Sequence, residues 1–474
     1  MDNVKELFKQ HYFFVIGAFV SIVVFLATYK IPFFWDAISK SERATWFFEH
    51  HFSQWVIPTE LNSGHPPLWT LLLAFSWTLF GRTLLVSRAL LLLLNLAVVY
   101  QMQLLVKKYS DNGIPKYAYL LLLIEPTYLA QSTILNNDVL LLLMCFLAFN
   151  NIFKNRVIYS LALTGILFCN LRGILFFGGF VLFDVLVQVF GWIKVKNYKK
   201  SIYALVVPLL CFGTFLVYQY HQLGWVFKSP SKNWSDQREL VGVFQLLKNG
   251  ISLVWVFADF GRFLFWILAL LSGVVCIQKK IQINVKIKRL ILFWICLLVC
   301  NVTMIFSSNP IGHRYFMFLY LIGLLITLHL IFTVFSTKKA KLASFSIGIL
   351  LISGHFWIYP ETISQGWDSS LAYLSYFEVK EKMYHYVLEQ NLPVTEVGTK
   401  TRNPSVYIAY LRNEEQETYT YCSKISEVEY FVHSNIENST KDEEIAILHN
   451  QWVLLQEYQK GGVFIRLYQA PKLN

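Results

Sequence analysis

The chain has 474 residues, 55% of them hydrophobic and 15% charged, with a formal net charge of +12. This excludes an ordinary soluble globular protein, because several apolar runs approach or exceed the roughly 20 residues a helix needs to cross a bilayer. Nor is the basic excess a nucleic-acid signature: residues 361–474 carry 10 Lys and Arg against 16 Asp and Glu, a charge of −6 that leaves +18 on the rest. Basic loops beside an anionic inner leaflet account for it, so membrane lipids are expected partners and nucleic acid is not.

In chain order, the apolar runs divide into eleven expected crossings, at 12–30, 84–106, 116–135, 138–153, 157–172, 173–193, 201–221, 258–278, 290–308, 313–335 and 342–359. The first lacks a small-residue cleavage pattern and is expected to stay as an anchor. Alternate loops hold Lys107 and Lys108, then Lys154 and Arg156, then Lys194, Lys196, Lys199 and Lys200. Later ones hold Lys279, Lys280, Lys286, Lys288 and Arg289, then Lys338, Lys339 and Lys341. The intervening loops are poor in both residues, so the positive-inside bias puts the N-terminus in the cytoplasm of a plasma (inner) membrane. An odd number of crossings leaves the C-terminal segment outside.

Outer loops are expected at 31–83 and 222–257. Residues 31–65 of the first are mostly polar and aromatic, carry Asp36, Glu60 and His65, and close on Gly64-His65-Pro66-Pro67-Leu68. That is more than a connector needs. Proline fixes φ and pushes the preceding residue out of the helical region, while a helix accepts it in its first turn. The motif is therefore expected to dock the loop onto a helix start, with residues 66–80 dipping into the membrane and returning.

Ionisable groups are costly at membrane depth, so a site is the default where they gather on one side. Asp36, Asp138, Arg172, Arg262, His313 and Arg314 all fall on the outer side, as do Asp259 and, in the second loop, His221, Lys228, Lys232 and Arg238. Asp36 and Asp138 have an alternative as helix caps. One arginine alone is explained by snorkelling; three on the side where positive charge is scarce point to an anionic ligand. Glu125, beside Pro126 in the third span, has two readings, a structural hydrogen bond or a part in the site. Trp46, Trp55, Trp69 and Trp234 suit either the membrane interface or a sugar face.

Six cysteines lie in or beside apolar spans and only Cys422 lies beyond them, so no internal disulfide is expected in the outer segment, and no Cys/His spacing marks structural zinc. A divalent metal stays open only through Glu60, His65 and His221, which share a site where the two outer loops meet. Composition changes at Pro360. An amphipathic stretch, 371–388, and β-rich runs at 406–411, 427–433 and 462–468 point to a small α/β domain over 361–474 that presents no catalytic constellation of its own.

The order of an acid after the first span, then Gly64-His65-Pro66-Pro67-Leu68, Leu79-Phe80-Gly81 and Ser87-Arg88, resembles the C-type membrane glycosyltransferases, in the branch of protein O-mannosyltransferases and lipid A aminoarabinose transferases. Residues 126–138, PTYLAQSTILNND, look like that branch's second acidic outer loop, and His313-Arg314-Tyr315 is similar to its motif near the lipid phosphate. The resemblance covers about residues 10–335.

It implies a helical bundle with an outward-facing site, a polyprenyl-phosphate-linked sugar as donor, a glycan, lipid or protein acceptor, and transfer with inversion. Asp36 then matches the first-loop acid and Asp138 the second. Asp36 is assigned as the base, and Arg172, Arg262, His313 and Arg314 are the candidates to hold the donor phosphate, with Glu60 and His65 supporting the loop. Many relatives carry two adjacent acids where this chain has Asp36-Ala37. A nucleotide-binding fingerprint is absent from the soluble segments, which agrees with a lipid donor. The rival reading is a flippase of lipid-linked glycans, which calls for discontinuous helices near the midplane. A non-catalytic receptor is a third.

Overall fold

The computed structural model describes residues 2–111, 113–192, 198–231, 234–401, 405–413 and 416–471; Lys194, Lys196 and Lys232 lie outside the described residues. The N-terminal three quarters are helical: α1 (Asp2–Thr28), α2 (Asp36–Glu49), α3 (Leu68–Phe80), α4 (Leu84–Tyr109), α5 (Pro126–Gln131), α6 (Asp138–Asn151), α7 (Arg156–Cys169), α8 (Gly173–Val189), α9 (Tyr198–Leu223), α10 (Val243–Ala258), α11 (Phe263–Gln278), α12 (Val285–Val302), α13 (Met317–Val334) and α14 (Thr337–Ser353). Among the described residues, five helices are long and apolar enough to cross a membrane, and α10 with α11, bent by 92°, makes a sixth if counted as one span. The shorter apolar helices α3, α6, α7 and α8 add to the bundle.

α13 is apolar on every side and buried along its length from Met317 to Ile331, as a helix without a polar face must be. α11 and α12 pack on it, α8 packs on α12, and α1 packs on α4. At Gly179 of α8 a Cβ would come within 2.9 Å of the Leu297 Cα, so a small residue sets how closely α8 meets α12.

One expectation in this part is corrected, and one segment proves more regular than its sequence suggested. Residues 116–135 do not form one span: a 3-10 helix, Lys116–Ile124, stops at Glu125, and α5 begins at Pro126. Proline has no N–H to continue the ladder but fits the first turn of a new helix, and the Glu125 carboxylate accepts from the Tyr128 N–H at 2.7 Å. The second outer loop, 222–257, contains α10, whose Val243, Phe244, Leu247, Ile251 and Val254 form an exposed apolar face.

Beyond Pro360 come α15 (Ser375–Glu389), α16 (Val406–Ala409) and α17 (Asp442–Gln451), with strands β1 (Val397–Thr399), β2 (Thr420–Tyr421), β3 (Tyr430–Ser434), β4 (Val453–Lys460) and β5 (Val463–Gln469). The sheet order is β2-β1-β3-β5-β4; β1 runs parallel to β2 and β3, and β5 antiparallel to β3 and β4. α15 covers β4 and β5. The expected β-run at 406–411 is instead the helical turn α16, because tertiary bonds decide it. Ser41 Oγ donates to the Ile408 carbonyl at 2.7 Å, and the Phe33 N–H to the Ala409 carbonyl at 3.0 Å. A single buried hydrophobic cluster runs from the helices to β5. Phe34 of the first loop joins the two parts, its ring stacked on Tyr373 at 4.7 Å between centroids.

Candidate active site

Asp36, Lys40 and Arg43 recur at i, i+4 and i+7, which puts them on one face of α2. Trp35, just before the helix, has φ of 48°, a left-handed conformation that costs a bulky residue energy and is held by its surroundings. Asp36 does not cap α2 with its side chain. Its carboxylate accepts instead from Arg314 Nη2.

Arg314 is the hub. It faces three carboxylates: Asp36, Asp368, whose Oδ2 lies 2.8 Å from Nη1, and Asp138, whose Oδ2 lies 3.8 Å from Nε. Asp138 opens α6, and its Oδ1 accepts from Arg172 Nη2 at 2.9 Å. Arg172 is set at the tip between α7 and α8, where Asn170 Oδ1 accepts from the Gly173 N–H at 3.0 Å. The Arg172 guanidinium carbon lies 3.8 Å from the centre of the Tyr315 ring.

Among the described residues, Asp138 Oδ2, Arg172 Nη1 and Arg314 Nε are buried without a hydrogen-bond partner. Buried polar groups are normally satisfied, so the cluster has spare capacity for a charged or hydroxylated ligand.

Charge on α2 follows the same geometry. Arg314 beside Asp36 holds its carboxyl down at about 2, and burial, then Arg43, brings Lys40 down to about 7. The Asp36 side chain is 60% accessible and that of Arg314 10%; Asp36 opens into a cavity of about 260 Å³ between the first loop and α15.

The first-loop motif docks as expected, with Pro67 immediately before α3 and its carbonyl accepting from the Leu71 N–H at 2.8 Å. Gly64 is required there: φ is +77°, and a Cβ would lie 2.8 Å from the Phe227 carbonyl oxygen and 2.6 Å from Arg238 Nη1. His65 Nδ1 accepts from the Leu171 N–H at 3.3 Å, so its remaining proton sits on Nε2. Burial pushes its pKa well below the usual histidine range. His65 thus ties the first loop to the segment that carries Arg172.

Glu60 is exposed, away from this cluster. The two outer loops do meet, through Arg238 Nη2 donating to the Ser63 carbonyl and Trp225 Nε1 donating to Thr59 Oγ1 at 2.9 Å. Among the described residues, no three His, Cys, Asp or Glu side chains come together there or elsewhere as metal ligands, so Glu60, His65 and His221 do not fit a divalent ion.

Arg262 and His313 form a separate layer. Arg262 is fully buried; its Nε donates to Glu125 Oε1 at 2.7 Å and its Nη2 to Thr127 Oγ1. This selects the structural reading of Glu125. His313 Nε2 lies 2.8 Å from Asp259 Oδ2, and the Tyr359 hydroxyl donates to Asp259 Oδ1. These partners occupy the groups that the sequence reading gave to a phosphate.

Three participants were missed. Lys40 and Arg43 had a signal in the i, i+4, i+7 spacing from Asp36. Asp368 had none; it brings the segment beyond Pro360, which has no catalytic constellation of its own in the sequence, into contact with Arg314. Gln131 Nε2 donates to the Asp368 carbonyl at 2.8 Å, which fastens this turn to residues 126–138.

The helical bundle with its short apolar helices, docked first loop and C-terminal segment has a counterpart of known structure. Among solved structures, that of ArnT from Cupriavidus metallidurans bound to undecaprenyl phosphate is similar over 96% of this chain and 98% of that one, with a TM-score of 0.51 and 13% identity. At that identity the likeness carries the fold alone. No family model matches the chain, and no curated protein does.

Proposed function

We propose that the chain is a glycosyltransferase that moves a hexosyl or pentosyl group from a polyprenyl-phosphate-linked donor to an acceptor on the non-cytoplasmic face, with inversion. In this reading the N-terminus is cytoplasmic, residues 1–360 form the transferase domain and residues 361–474 an extracytoplasmic one. The observation that carries it is an ionised, accessible carboxylate, Asp36, beside buried cations with unfilled donors, Arg172 Nη1 and Arg314 Nε. The undecaprenyl phosphate bound by the ArnT structure supports a lipid-phosphate donor.

Asp36 accepts the acceptor's proton as the new bond to the sugar's anomeric carbon forms. The bond to the lipid phosphate breaks, and its electron pair stays on the phosphate. The negative charge that develops there falls to Arg172, Lys40 and Arg43, preorganised cations in a poorly hydrated site. Arg314 couples the two halves. A phosphate that draws it away from Asp36 restores basicity to the carboxylate when the donor is in place. Asp138 holds Arg172 and Arg314 in position, and Arg262 and His313 act from the layer behind.

The test is transfer of radiolabelled sugar from polyprenyl-phosphate-sugar donors in purified membranes, comparing wild type with Asp36→Asn at matched protein levels. Loss of a general base is expected to lower transfer by roughly 10²–10⁴-fold. Equal activity in both removes Asp36 from catalysis. No transfer from any donor, alongside movement of a lipid-linked glycan across the bilayer, favours the flippase.

A further inference from the structure

The cavity at Asp36 differs in chemistry from the cation cluster on its other side. Its walls are Trp35 and Trp234 on the outer-loop side and Tyr376, Phe377 and Tyr410 on the C-terminal side. Among the described residues the lining carries one basic side chain, Lys380, which burial brings down to about 8 against the opposing pull of Glu437. Lys40 and Arg43 line a separate small pocket with His65. The two regions meet at Asp36 and at Trp234, whose ring the Arg43 guanidinium carbon approaches to 5.3 Å from the pocket side; the rings of Trp35, Tyr376, Phe377 and Tyr410 make up the rest of the aromatic wall.

We propose that this aromatic cavity is the acceptor subsite and that it takes a neutral pyranose ring of a glycan; the proposal rests on the transferase reading above. Size fits a single ring: about 260 Å³ is just under the roughly 300–1,000 Å³ of ordinary small-ligand sites. Aromatic rings present flat apolar area with polar edges, which suits the C–H face of a pyranose. The Trp234 Nε1 donor is buried without a partner among the described residues, so it is available to a ring hydroxyl.

A phosphorylated acceptor would meet Lys380 as the one cation among the described lining residues, whereas Lys40 and Arg43 line the separate pocket. An extended peptide would need free backbone groups, and the Ala409 carbonyl on this wall is already taken by the Phe33 N–H. A ring stacked against Trp234 presents a hydroxyl to Asp36. The acceptor O–H bond breaks toward the carboxylate as the new C–O bond forms, and the leaving phosphate keeps its electron pair.

The experiment uses the full chain in membranes and reads two things. The labelled product is sorted by chemistry, and undecaprenyl phosphate binding is titrated separately. Label is expected in a phosphate-free, protease-resistant glycan that periodate degrades. Trp234→Ala and Phe377→Ala are each expected to raise acceptor half-saturation about tenfold, as loss of ground-state binding does, while lipid binding stays within about twofold. Trp234→Phe, which keeps an aromatic face, is expected to recover most of the affinity. Label on protein or on a phosphorylated lipid overturns the inference and leaves the transferase reading standing, as does unchanged half-saturation in both alanine variants. Wild type that transfers from no polyprenyl-phosphate-sugar donor overturns the transferase reading itself, while its lipid binding reports that the protein is folded.

Discussion

The molecule contains two clusters of the same ingredients, carboxylates and arginines, in adjacent layers. In the inner one, Arg262 meets Glu125 and Thr127, and His313 meets Asp259, which also takes Tyr359; among the described residues none of their side-chain N or O atoms is both buried and without a partner. In the outer one, Arg314 and Arg172 serve Asp36, Asp138 and Asp368, yet three buried polar atoms remain unfilled and Asp36 opens to a cavity. Charge gathered near a membrane is therefore not by itself a ligand site. Unfilled hydrogen-bonding capacity beside an opening is what separates the outer cluster from the inner one.

The largest expected effect tests the inner layer. Arg262→Met leaves Glu125 buried without its counter-charge, and breaking such a pair costs roughly 3–5 kcal/mol. Thermal unfolding in detergent is expected to show a large drop in midpoint, recovered in good part by adding Glu125→Gln. A stable Arg262→Met protein with only weakened donor binding would move Arg262 into the outer cluster and break the comparison.

Lys40→Met should do the opposite. Donor kcat/KM is expected to fall by roughly 10²-fold, as when one preorganised charge donor is removed, with no loss of thermal midpoint.

Asp368→Asn sharpens the outer cluster further. With one counter-charge gone, Arg314 concentrates on Asp36 and lowers its basicity, so kcat is expected to fall by roughly 3- to 10-fold, through the dependence of base catalysis on pKa. Donor KM should hold.

The smallest effect is in the pH profile. Lys40, brought down to about 7 by burial, loses its charge as pH rises through that value, so donor kcat/KM should decline above about pH 7. Lys40→Arg, which stays charged, should carry the plateau upward. Asp36, held at about 2 by Arg314, is ionised throughout this range and adds no limb. Its contribution to stability is present above its unfolded value of 3.8 and is lost only as pH falls through about 2.

Much of this was legible in the sequence where one physical signal dominates. Long apolar runs gave α4 and α13, and Pro66-Pro67 gave the docked start of α3. Asp36, Asp138, Arg172 and Arg314 stood out because they share the outer side, and the structure brings those four together. α10 was hidden because Gln245, Lys248, Asn249 and Ser252 dilute its apolar face below that of a crossing, although its periodicity was there to be counted. Arg262 and His313 do not join those four, and sequence proximity to the membrane edge does not reveal that Glu125 and Asp259 already engage them. Asp368 was invisible for another reason: it reaches Arg314 through a turn with no motif, and Asp36, the carboxylate that shares Arg314 with it, lies more than 300 positions earlier in the chain.

That last contact sets an order of events during biogenesis. The segments that carry Asp36, Asp138, Arg172 and Arg314 are made before the turn that carries Asp368, so a nascent chain has these four groups but lacks one counter-charge to Arg314. The aromatic cavity likewise lacks one wall until Tyr376, Phe377 and Tyr410 have arrived. A chain cut short before the segment beyond Pro360 would have this cluster half built. The centre is completed only when the end of the polypeptide folds back over its beginning.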